Sequence, residues 1–585
     1  MQKTADAIRQ DHWRNTTTVV MSRRQQKQYA VLVGMWLLLS GYFWVWWSLP
    51  GHVGNLVLFV GVSVALFYNV TLLPSFYLFY LGHMRRPEPV HVRHAEEAGV
   101  VGRVAVITLT VPGSESLDIV RRQLAAMKAI RYPHDSWILV DKEHSPAIAQ
   151  VARTLGVFYF CRHDDSAWGP DGVARWNAPI PPFKAKTKAG NVNSWLDQHG
   201  DRYSHFTQLD IDHHPVPSYL DRVLGFFMDE KVAWIQAPSV YGNHENWTAR
   251  GSSEQEFVLQ GPLQMGFFGF CRTPFIIGSH CTYDTTAIRG IGGFQPTRAE
   301  DHLDTVCLAA EGREGVFLPE VIAVGDGPET FDTYLAQQFA WAFSMIQVLF
   351  RFTPKLIRRY TARQALQFLF VQTWYTCWSL SMLILFVSPL LSLGFDAPIS
   401  RVSLWTFLGH SIPAALTATA VWWWSRSWHE PKRVALSWRG IVLHMARWVV
   451  VLSAFAQVAL RVKKPYMITI KGLGADVRQP LRVALLAPYI GLIAASLATC
   501  WFYMAVYDRS ASQGYLFFAL EGAALFWLLI VVVLAQDALA TVRPEALGHY
   551  LRLRATPFLA LASVTVLLIV TALATSDRIL EALSV

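Results

Sequence analysis

Long apolar stretches lie towards both ends of the chain and enclose a segment of mixed polarity. A helix needs ~20 apolar residues to cross the ~30 Å hydrocarbon core of a bilayer. The stretches that meet this length are residues 29–49, 56–81, 366–393, 404–424, 483–506, 515–535 and 558–574. The pattern therefore predicts two membrane helices before the central segment and five after it.

The Lys and Arg residues beside these stretches predict the orientation. Arg23, Arg24 and Lys27 precede the first stretch, and Arg85 and Arg86 follow the second. Basic residues in short flanking segments stay on the cytosolic side of a membrane. The central segment is therefore predicted to be cytosolic, and the seventh crossing would leave the C-terminus outside.

Two further apolar stretches contain more polar residues. Residues 334–350 include three glutamines, and residues 441–460 include His444, Arg447 and Gln457. This pattern favours amphipathic helices at the membrane interface, with a buried span as the alternative for 441–460. The predicted organisation is a cytosolic segment 1–28, membrane helices in 29–82, a cytosolic domain 100–333, interface helices 334–362, membrane helices in 363–424, an interface helix 438–461, a loop 462–474, three membrane helices in 480–576 and an external C-terminus 577–585.

Composition agrees with this division. Of the 585 residues, 52% are hydrophobic and 16% are charged, and the formal net charge is +9. A basic balance suits a membrane protein with positive cytosolic edges. The six cysteines include no CxxC and no Cys/His cluster, which argues against a disulfide scaffold or a structural zinc site.

The central segment alternates predicted strands and helices. The strands are 104–110, 136–140, 157–161 and 205–209, and the helices between them are 117–130 and 148–155. Repeated strand–helix–strand units imply a mostly parallel sheet that binds ligands beyond the carboxyl ends of its strands. Asp141 and Asp210 directly follow two of these strands and are therefore candidates for a site.

Asp210 begins the tetrapeptide Asp210-Ile211-Asp212-His213. Two carboxylates spaced in this way can bind one divalent cation together with a nucleotide diphosphate. Taken alone, the tetrapeptide could equally be a solvated turn before Pro215.

Other motifs extend this one. In chain order they are Asp141, Lys188-Ala189-Gly190-Asn191, Asp210-Ile211-Asp212-His213, Gly278-Ser279-His280, Ala299-Glu300-Asp301 and Gln337-Gln338-Phe339-Ala340-Trp341. This order resembles the inverting family 2 glycosyltransferases of membranes, which include the cellulose, curdlan, chitin and hyaluronan synthases. The resemblance runs from about residue 104 to residue 472 and is greatest to bacterial cellulose synthase catalytic subunits. It implies a cytosolic α/β domain of the GT-A type, with a mostly parallel mixed sheet, inserted in a multi-pass α-helical membrane domain with interface helices.

The resemblance also implies roles for the acidic motifs. Asp301, with Glu300 beside it, would be the catalytic base that deprotonates the acceptor hydroxyl. Asp210 and Asp212, with His213 as a further ligand or a supporting donor, would hold Mg²⁺ or Mn²⁺. For Asp301 and Glu300, the alternative is a pair of acids at a helix N-terminus that takes no part in catalysis.

The remaining roles concern the donor, the acceptor and a loop. The implied nucleotide-sugar ligands are Asp141, Lys188, Asn191, Asp210, Glu115 and Gln337, although a solvated basic loop with Lys184 and Lys186 is the alternative for Lys188. The implied acceptor ligands are Trp341, Ser279 and His280. Tyr466, Ile468, Thr469 and Lys471 resemble the gating loop of cellulose synthases.

Three positions depart from the family pattern. Ala340 stands where the QxxRW motif has arginine, Ala299 replaces the threonine before the acidic pair, and Val140-Asp141 replaces a pair of aspartates. The missing arginine removes one charge-assisted contact with the diphosphate, nominally ~1.5–3 kcal/mol. It favours a slow or non-processive enzyme unless another cation, such as Lys188 or Lys471, compensates.

Many of the 23 Trp and 20 Tyr residues fall within the predicted spans, for example Trp374 and Trp378. Ring faces suit a corridor for a polysaccharide, because its hydroxyl groups cannot contact lipid. An interfacial aromatic belt is the alternative, and it accounts for most of these residues.

The sequence therefore predicts an enzyme of the bacterial inner membrane that elongates a β-glucan, either cellulose-like or β-1,3-linked, from UDP-glucose at the cytosolic face and translocates it. The alternatives are transfer of a single sugar to a lipid carrier, the use of UDP-N-acetylglucosamine, and a transporter or scaffold without catalysis. The expected partners are a UDP-sugar donor, a growing polysaccharide and the bilayer, with an accessory or regulatory subunit as a further candidate. No nucleic-acid partner is expected.

Overall fold

The computed structural model describes residues 14–164, 187–295, 297, 300–432, 437–462, 481, 483–507, 510–541 and 555–584. Its strands are β1 (Thr17–Val19), β2 (Arg85–Pro87), β3 (Val104–Thr110), β4 (Asp135–Val140), β5 (Phe158–Cys161), β6 (His205–Leu209), β7 (His214–Pro215), β8 (Val232–Gln236), β9 (Val240–Tyr241), β10 (His280–Asp284), β11 (Glu314–Phe317) and β12 (Ala323–Gly325).

The helices of the first half of the chain are two long apolar helices, α1 and α2, and the shorter helices of the central domain. They are α1 (Arg23–Trp47), α2 (Leu56–Gly82), α3 (Val92–Glu97), α4 (Leu117–Lys128), α5 (Pro146–Leu155), α6 (Lys188–His199), α7 (Tyr219–Val223), α8 (Trp247–Glu256), α9 (Gln264–Cys271), α10 (Thr285–Gly290) and α11 (Glu300–Ala310).

The second half is helical except for β11 and β12. Its helices are α12 (Phe331–Gln347), α13 (Thr353–Leu356), α14 (Ala362–Phe395), α15 (Leu404–Trp424), α16 (Trp438–Ala459), α17 (Ala487–Val506), α18 (Tyr515–Thr541) and α19 (Ala555–Ser584).

A seven-stranded mixed sheet forms the centre of the cytosolic domain predicted from the sequence, in the order β11-β8-β10-β6-β3-β4-β5. Neighbouring strands from β6 to β5 are parallel, whereas β10 runs antiparallel to both β6 and β8. The predicted strands 104–110 and 205–209 are found at those residues, and the other two differ by one residue at their starts. The predicted α/β class with a mostly parallel mixed sheet is confirmed.

Alternation along β3 explains why the sheet is covered on both faces. Val104 and Val106 pack with α4 and α5 in one apolar cluster, whereas Ala105 and Ile107 pack with α6 in another. Successive side chains of a strand point to opposite faces, so a run of apolar residues is buried on both sides. The covering helix α4 begins at Ser116, whose hydroxyl accepts a hydrogen bond from a backbone N–H of the first turn.

The strand ends that are followed or preceded by polar residues lie together at one edge of the sheet, which we call the polar edge. Strands β3, β4 and β6 end there, and β10 begins there because it is antiparallel, with His280 opposite Leu209. Residues that follow β4 and β6 therefore meet residues that precede β10. Asp141, Asp210 and Ser279 all lie at this edge.

Seven described helices are long and apolar enough to cross a membrane by length and composition: α1, α2, α14, α16, α18, α19 and the helical segment Ala484–Val506 that contains α17. The sequence had predicted a membrane helix at α15 and an interface helix at α16, with a buried span as the alternative for α16. The described helices match the other six expected stretches. Which of α15 and α16 crosses the membrane stays a prediction.

The helix α16 connects the sheet domain with the long apolar helices. It packs against α8 and α12 on one side and against α14 and α18 on the other. Glu254 of α8 accepts hydrogen bonds from the backbone N–H groups of Ser437 and Gly440, at 3.0 Å each, and so binds the N-terminus of α16. Helix α8 of the sheet domain is thus bound to the N-terminus of α16.

Candidate active site

The predicted metal ligands lie together directly after β6. Asp210, Asp212 and His213 each offer a ligand atom, and these atoms lie within 4.8 Å of one another. The side chain of Asp212 is fully buried, and its Oδ2 accepts a hydrogen bond from the backbone N–H of Asp326 at 3.3 Å. Two carboxylates and an imidazole form a donor set that suits a divalent cation such as Mn²⁺ or Mg²⁺.

His213 is held in place by close packing. Its ring lies against Gly325, where a Cβ atom would clash with Cε1 and with both ring nitrogens. Its Nδ1 is 3.5 Å from Asp212 Oδ1, and its Nε2 is 3.4 Å from the hydroxyl of Ser239. The ring therefore stays beside the two carboxylates.

Ser279 and His280, which the sequence assigned to the acceptor, lie behind His213. The Ser279 hydroxyl donates to Ser239 Oγ at 2.7 Å, and the His280 ring centroid is 5.9 Å from that of His213. Both residues are buried, and burial lowers the pKa of His280 to about 3. Their contacts in the structure are with the group of Asp210, Asp212 and His213, which we call the metal corner. Their predicted contact with an acceptor stays a prediction.

Lys188 joins the metal corner to the acidic pair. Its Nζ donates to Asp210 Oδ1 and to the carbonyl oxygen of Gly278, at 2.7 Å each, and lies 3.8 Å from Glu300 Oε1. Burial lowers the pKa of Lys188, but the charges of Asp210 and Glu300 outweigh burial and leave the pKa above its ordinary value. Lys188 is therefore a fixed positive charge at this edge of the sheet.

Asp301 lies on the other side of Gly278. A Cβ atom on Gly278 would be 2.7 Å from Asp301 Oδ2, and Gly278 has a φ of +75°, so only glycine allows this approach. Burial raises the pKa of Asp301 and raises that of Glu300 to about 7, against the opposing charge of Lys188. The acids at 210 and 301, far apart in sequence, thus flank one backbone carbonyl.

Asp141 makes an ion pair that the sequence analysis missed. Arg162 Nε and one terminal nitrogen of the same guanidinium donate to the two carboxylate oxygens of Asp141, at 2.5 and 2.8 Å. The Arg162 side chain is 1% exposed. Each carboxylate oxygen can accept more than one hydrogen bond, so a contact between Asp141 and a uracil base stays a prediction. The position of Arg162 directly after β5, next to β4, was the available signal.

Two other predicted nucleotide ligands make contacts within the sheet domain. Glu115 Oε2 accepts from the Thr110 hydroxyl at 2.8 Å and from the Val111 N–H at 3.1 Å, so it closes the loop after β3. Asn191 donates to the carbonyl oxygen of Leu139 at 3.4 Å, and its Oδ1 is buried with no hydrogen-bond partner among the described residues. Their contacts with a nucleotide stay predictions.

The glutamine of the QxxRW-like motif faces the sheet domain. Gln337 Nε2 lies 3.5 Å from the hydroxyl of Tyr241, a residue that the sequence analysis did not identify, and this hydroxyl lies 3.5 Å from Glu256 Oε1. Burial raises the pKa of Glu256 to about 7. Trp341, one turn after Gln337, packs with the aromatic residues of the membrane-side helices.

A second polar cluster lies where α14 and α16 meet and consists of Trp374, Tyr375, Trp378, His444 and Arg447. We call it the membrane-side cluster and include in it the buried Gln338 of α12, a helix that packs against both α14 and α16. The Arg447 guanidinium carbon is 4.9 Å from the Trp374 ring centroid and 5.2 Å from that of Tyr375, and Arg447 donates to the Tyr375 hydroxyl at 3.0 Å. The Trp374 and Trp378 rings stack at 5.5 Å, and His444 lies 4.3 Å from Trp378.

Several polar atoms of the membrane-side cluster are buried without a partner. Within the described part of the chain, neither polar atom of the Gln338 amide makes a hydrogen bond, and nor does Arg447 Nε. The two residues are 1% and 6% exposed, respectively. Buried polar groups are rarely left unpaired, so this arrangement fits a ligand with several hydroxyl groups.

Four positions of the predicted gating loop, Tyr466, Ile468, Thr469 and Lys471, lie outside the described residues. Lys184, Lys186 and Ala299 also lie outside them. Their predicted roles are neither supported nor opposed by the structure.

Comparison with known proteins finds one matching family model and several similar proteins. Residues 205–456 match the family model described as "Glycosyl transferase family group 2". The chain is 25% identical over 325 residues to a cellulose synthase catalytic subunit [UDP-forming] of Komagataeibacter sucrofermentans, which covers 54% of this chain and 40% of that protein. It is 24% identical over 356 residues to the corresponding subunit of Xanthomonas axonopodis pv. citri, covering 58% and 45%.

The match spans less than half of the length of these two relatives. Among solved structures, a mannosyltransferase from Pyrobaculum calidifontis in complex with GDP-Man and Mn²⁺ has a TM-score of 0.43 and 15% identity, covering 70% of this chain and 99% of that one. The matched family region begins at β6 and ends within α16, so it includes the metal corner, Asp301 and all six residues of the membrane-side cluster.

Proposed function

We propose that this chain transfers glucose from UDP-glucose to a growing β-glucan with inversion of configuration. Three features support the proposal: the candidate membrane helices, the match to the family 2 glycosyltransferase model and the resemblance to bacterial cellulose synthase catalytic subunits. The observation that carries the proposal is that the acids of the site form two sets, one that can bind a metal ion and one that stands apart from it. Asp210 and Asp212 belong to the metal corner, whereas Asp301 lies beyond Gly278 and Lys188. Inverting transfer needs one carboxylate close to the metal-binding acids but free to act as a base.

The donor would bind at the polar edge of the sheet. Asp210, Asp212 and His213 would hold Mg²⁺ or Mn²⁺, which supplies positive charge for the leaving diphosphate when it is bound. Lys188 adds a second fixed positive charge within 2.7 Å of Asp210. The ion pair between Asp141 and Arg162 would orient the carboxylate towards the nucleobase.

Asp301 would act as the general base. The acceptor hydroxyl oxygen attacks the anomeric carbon of the donor sugar while the bond from that carbon to the diphosphate oxygen breaks. Asp301 takes the hydroxyl proton, and UDP leaves on the opposite face. Because burial raises the pKa of Asp301, its carboxylate is a stronger base than an exposed aspartate.

The acceptor would approach from the membrane-side cluster. Trp374 and Trp378 offer flat apolar faces to the CH groups of a sugar, and Trp341 lies in the same aromatic surroundings. The unpaired atoms of Gln338 and Arg447 would bind sugar hydroxyl groups. Because α14 and α16 are candidate membrane spans, a product held here would already be directed towards the bilayer.

The orientation follows from charge. With the sheet domain in the cytosol of a bacterium, the basic segments beside the inner-membrane helices lie on the cytosolic side, as the positive-inside rule expects. The growing glucan would then be translocated outward, and an accessory or regulatory subunit would be a further partner.

One specific observation favours a second function. Ala340 lacks the arginine that accompanies processive synthesis in the resembling family, which favours addition of a single sugar to a lipid carrier. UDP-N-acetylglucosamine is the alternative donor, because specificity depends on a few contacts in the sugar pocket.

The deciding experiment incubates the purified full-length protein, in lipid nanodiscs, with labelled UDP-glucose and Mg²⁺ and then sizes the product. The expected product is a polymeric β-glucan that β-glucanases degrade and that does not form when a chelator is present. A product extracted into organic solvent as a lipid-linked monosaccharide would overturn the polymer claim. Parallel reactions with UDP-N-acetylglucosamine identify the donor.

A further inference from the structure

A buried histidine joins the helix of Asp301 to a membrane-side helix. His302 follows Asp301 in α11, and its Nε2 lies 3.0 Å from the Nε2 of Gln372 in α14. The Gln372 Oε1 accepts a hydrogen bond from the hydroxyl of Thr353 at 2.7 Å. This second bond orients the amide so that its N–H group donates to the histidine.

The histidine is suited to accept this bond. Gln372 is 0% exposed and His302 is 7% exposed. Burial lowers the pKa of His302 to about 3, so the ring is neutral at physiological pH. A neutral ring that accepts at Nε2 carries its proton on Nδ1.

Packing reinforces the hydrogen bond. The His302 ring centroid lies 4.7 Å from that of Phe275, which precedes β10, and 6.3 Å from that of Phe368 in α14. His302 therefore fills the space between the sheet domain and α14.

The backbone on the other side of α11 is also bound. The Thr305 hydroxyl donates to the carbonyl oxygen of Asp301 at 2.9 Å and accepts from the N–H of Ile276 at 3.0 Å. The same segment continues through Ile277 to Gly278, which abuts the Asp301 carboxylate. On one side, α11 is thus fixed to the donor site, and on the other side His302 fixes it to α14.

The helix α14 also carries residues of the membrane-side cluster. Trp374 lies two residues after Gln372, and Trp378 lies one turn further on. The amide that holds His302 and the rings that would hold the acceptor therefore belong to one rigid helix.

We propose that His302, through its hydrogen bond with Gln372, is a positioning residue that sets the place of the Asp301 carboxylate relative to the acceptor path along α14. The inference rests on the proposed function, in which Asp301 takes the acceptor proton. The donor is fixed by the sheet domain and the acceptor by α14, so their alignment requires a defined contact between the two. A misplacement of about 1 Å can lower a rate by roughly 100-fold.

The test uses the full-length protein in lipid nanodiscs with UDP-glucose and Mg²⁺. His302→Phe keeps an aromatic ring between Phe275 and Phe368 but removes the hydrogen-bond acceptor, and Gln372→Met removes the donor. Each is expected to lower kcat by about tenfold and to leave KM for UDP-glucose within about twofold, because the donor site is untouched. Thr373→Val is the matched control, since the Thr373 hydroxyl bonds only to its own helix, and it is expected to retain the wild-type kcat.

Two further variants separate positioning from simple loss of packing. The double variant His302→Phe/Gln372→Met should be no slower than either single variant, because both remove the same bond. His302→Gln, whose amide oxygen can accept from Gln372, should recover at least about a third of the wild-type kcat. Thermal unfolding midpoints measured on the same samples show whether each variant is folded.

Wild-type kcat in His302→Phe would overturn the inference, and so would multiplicative losses in the double variant. These outcomes leave the proposed function intact, since they require a wild-type enzyme that transfers glucose. A wild-type protein that transfers no sugar would instead refute the proposed function itself.

Discussion

The metal corner and the membrane-side cluster differ in how their polar atoms are satisfied. In the metal corner, Lys188 pairs with Asp210, and Asp212 accepts a backbone hydrogen bond, so the charges have protein partners. In the membrane-side cluster, Gln338 and Arg447 keep buried polar atoms that bond to none of the described residues. The first region is organised by charge, and the second by ring faces and unpaired hydrogen-bonding groups.

This difference follows from the chemistry of the two proposed ligands. A diphosphate carries charge, and its binding site must hold charged groups in place before the ligand arrives, because each isolated buried charge is costly. A neutral glucan offers hydroxyl groups and CH faces, which need rings and unpaired polar atoms instead. Asp301, beside Gly278, is the group that would take the proton from the acceptor.

The largest expected effect is that of Asp301→Asn. The change keeps the size of the side chain but removes the base, so transfer should fall by at least about 1,000-fold, within the range known for positioned general bases. Radiometric assays measure transfer, and calorimetry should find UDP affinity within about threefold of wild type. Glu311→Gln, an exposed acid just after α11 that pairs with Arg359, is the control and should stay fully active.

The next largest effect is expected from Asp212→Asn in the metal corner. Loss of one of the three grouped ligands should lower transfer by about 100-fold at fixed Mg²⁺, and part of this loss should be recovered at higher Mn²⁺. The loss and its recovery are measured by titrating Mg²⁺ and Mn²⁺ and recording the transfer rate. Full activity of the wild-type protein in excess chelator would contradict the cation site.

A moderate effect is expected in the membrane-side cluster. Arg447→Met keeps the apolar stem between Trp374 and Tyr375 but removes the hydrogen-bond donors, so transfer should fall by about tenfold, the equivalent of one charge-assisted bond. Affinity for UDP should not change, because the guanidinium of Arg447 contacts Trp374 and Tyr375, which belong to the proposed acceptor site. Arg439→Met on the same helix, where Arg439 stacks on Trp438, is the matched control. A changed UDP affinity in Arg447→Met would contradict the claim that the donor and the acceptor bind in separate regions.

The smallest effect is expected from Ala340→Arg. The added guanidinium should increase the transfer rate or the product length by up to about fivefold, because the motif lacks this positive charge. Size-exclusion analysis of the products measures the change. A loss of activity would mean that the site is built around the smaller residue.

The sequence predicted the sheet and its polar edge well, because both depend on local patterns. Apolar β-branched runs predicted β3 and β6, and the resemblance identified Asp301 as an acid of the site. The structure shows Asp301 beside Gly278, a contact that only the left-handed backbone of glycine permits.

Contacts between distant segments could not be predicted in the same way. Arg162 pairs with Asp141 across two strands, Arg447 meets Tyr375 across two helices, and His302 meets Gln372 from 70 positions away. A single sequence shows each of these polar residues but does not show its partner. The choice of span between α15 and α16 also depends on packing, since α16 contains His444 and Arg447 and is nevertheless the more buried of the two.

The most direct test of the account is a cryo-EM structure of the full-length protein with Mn²⁺ and a non-hydrolysable UDP-glucose analogue. We expect one Mn²⁺ ion bound by Asp210 and Asp212 with His213 adjacent, and the Asp301 carboxylate on the face of the sugar opposite to the diphosphate. A donor bound with Asp301 on the same side as the diphosphate, or a metal ion held away from residues 210 and 212, would contradict the account.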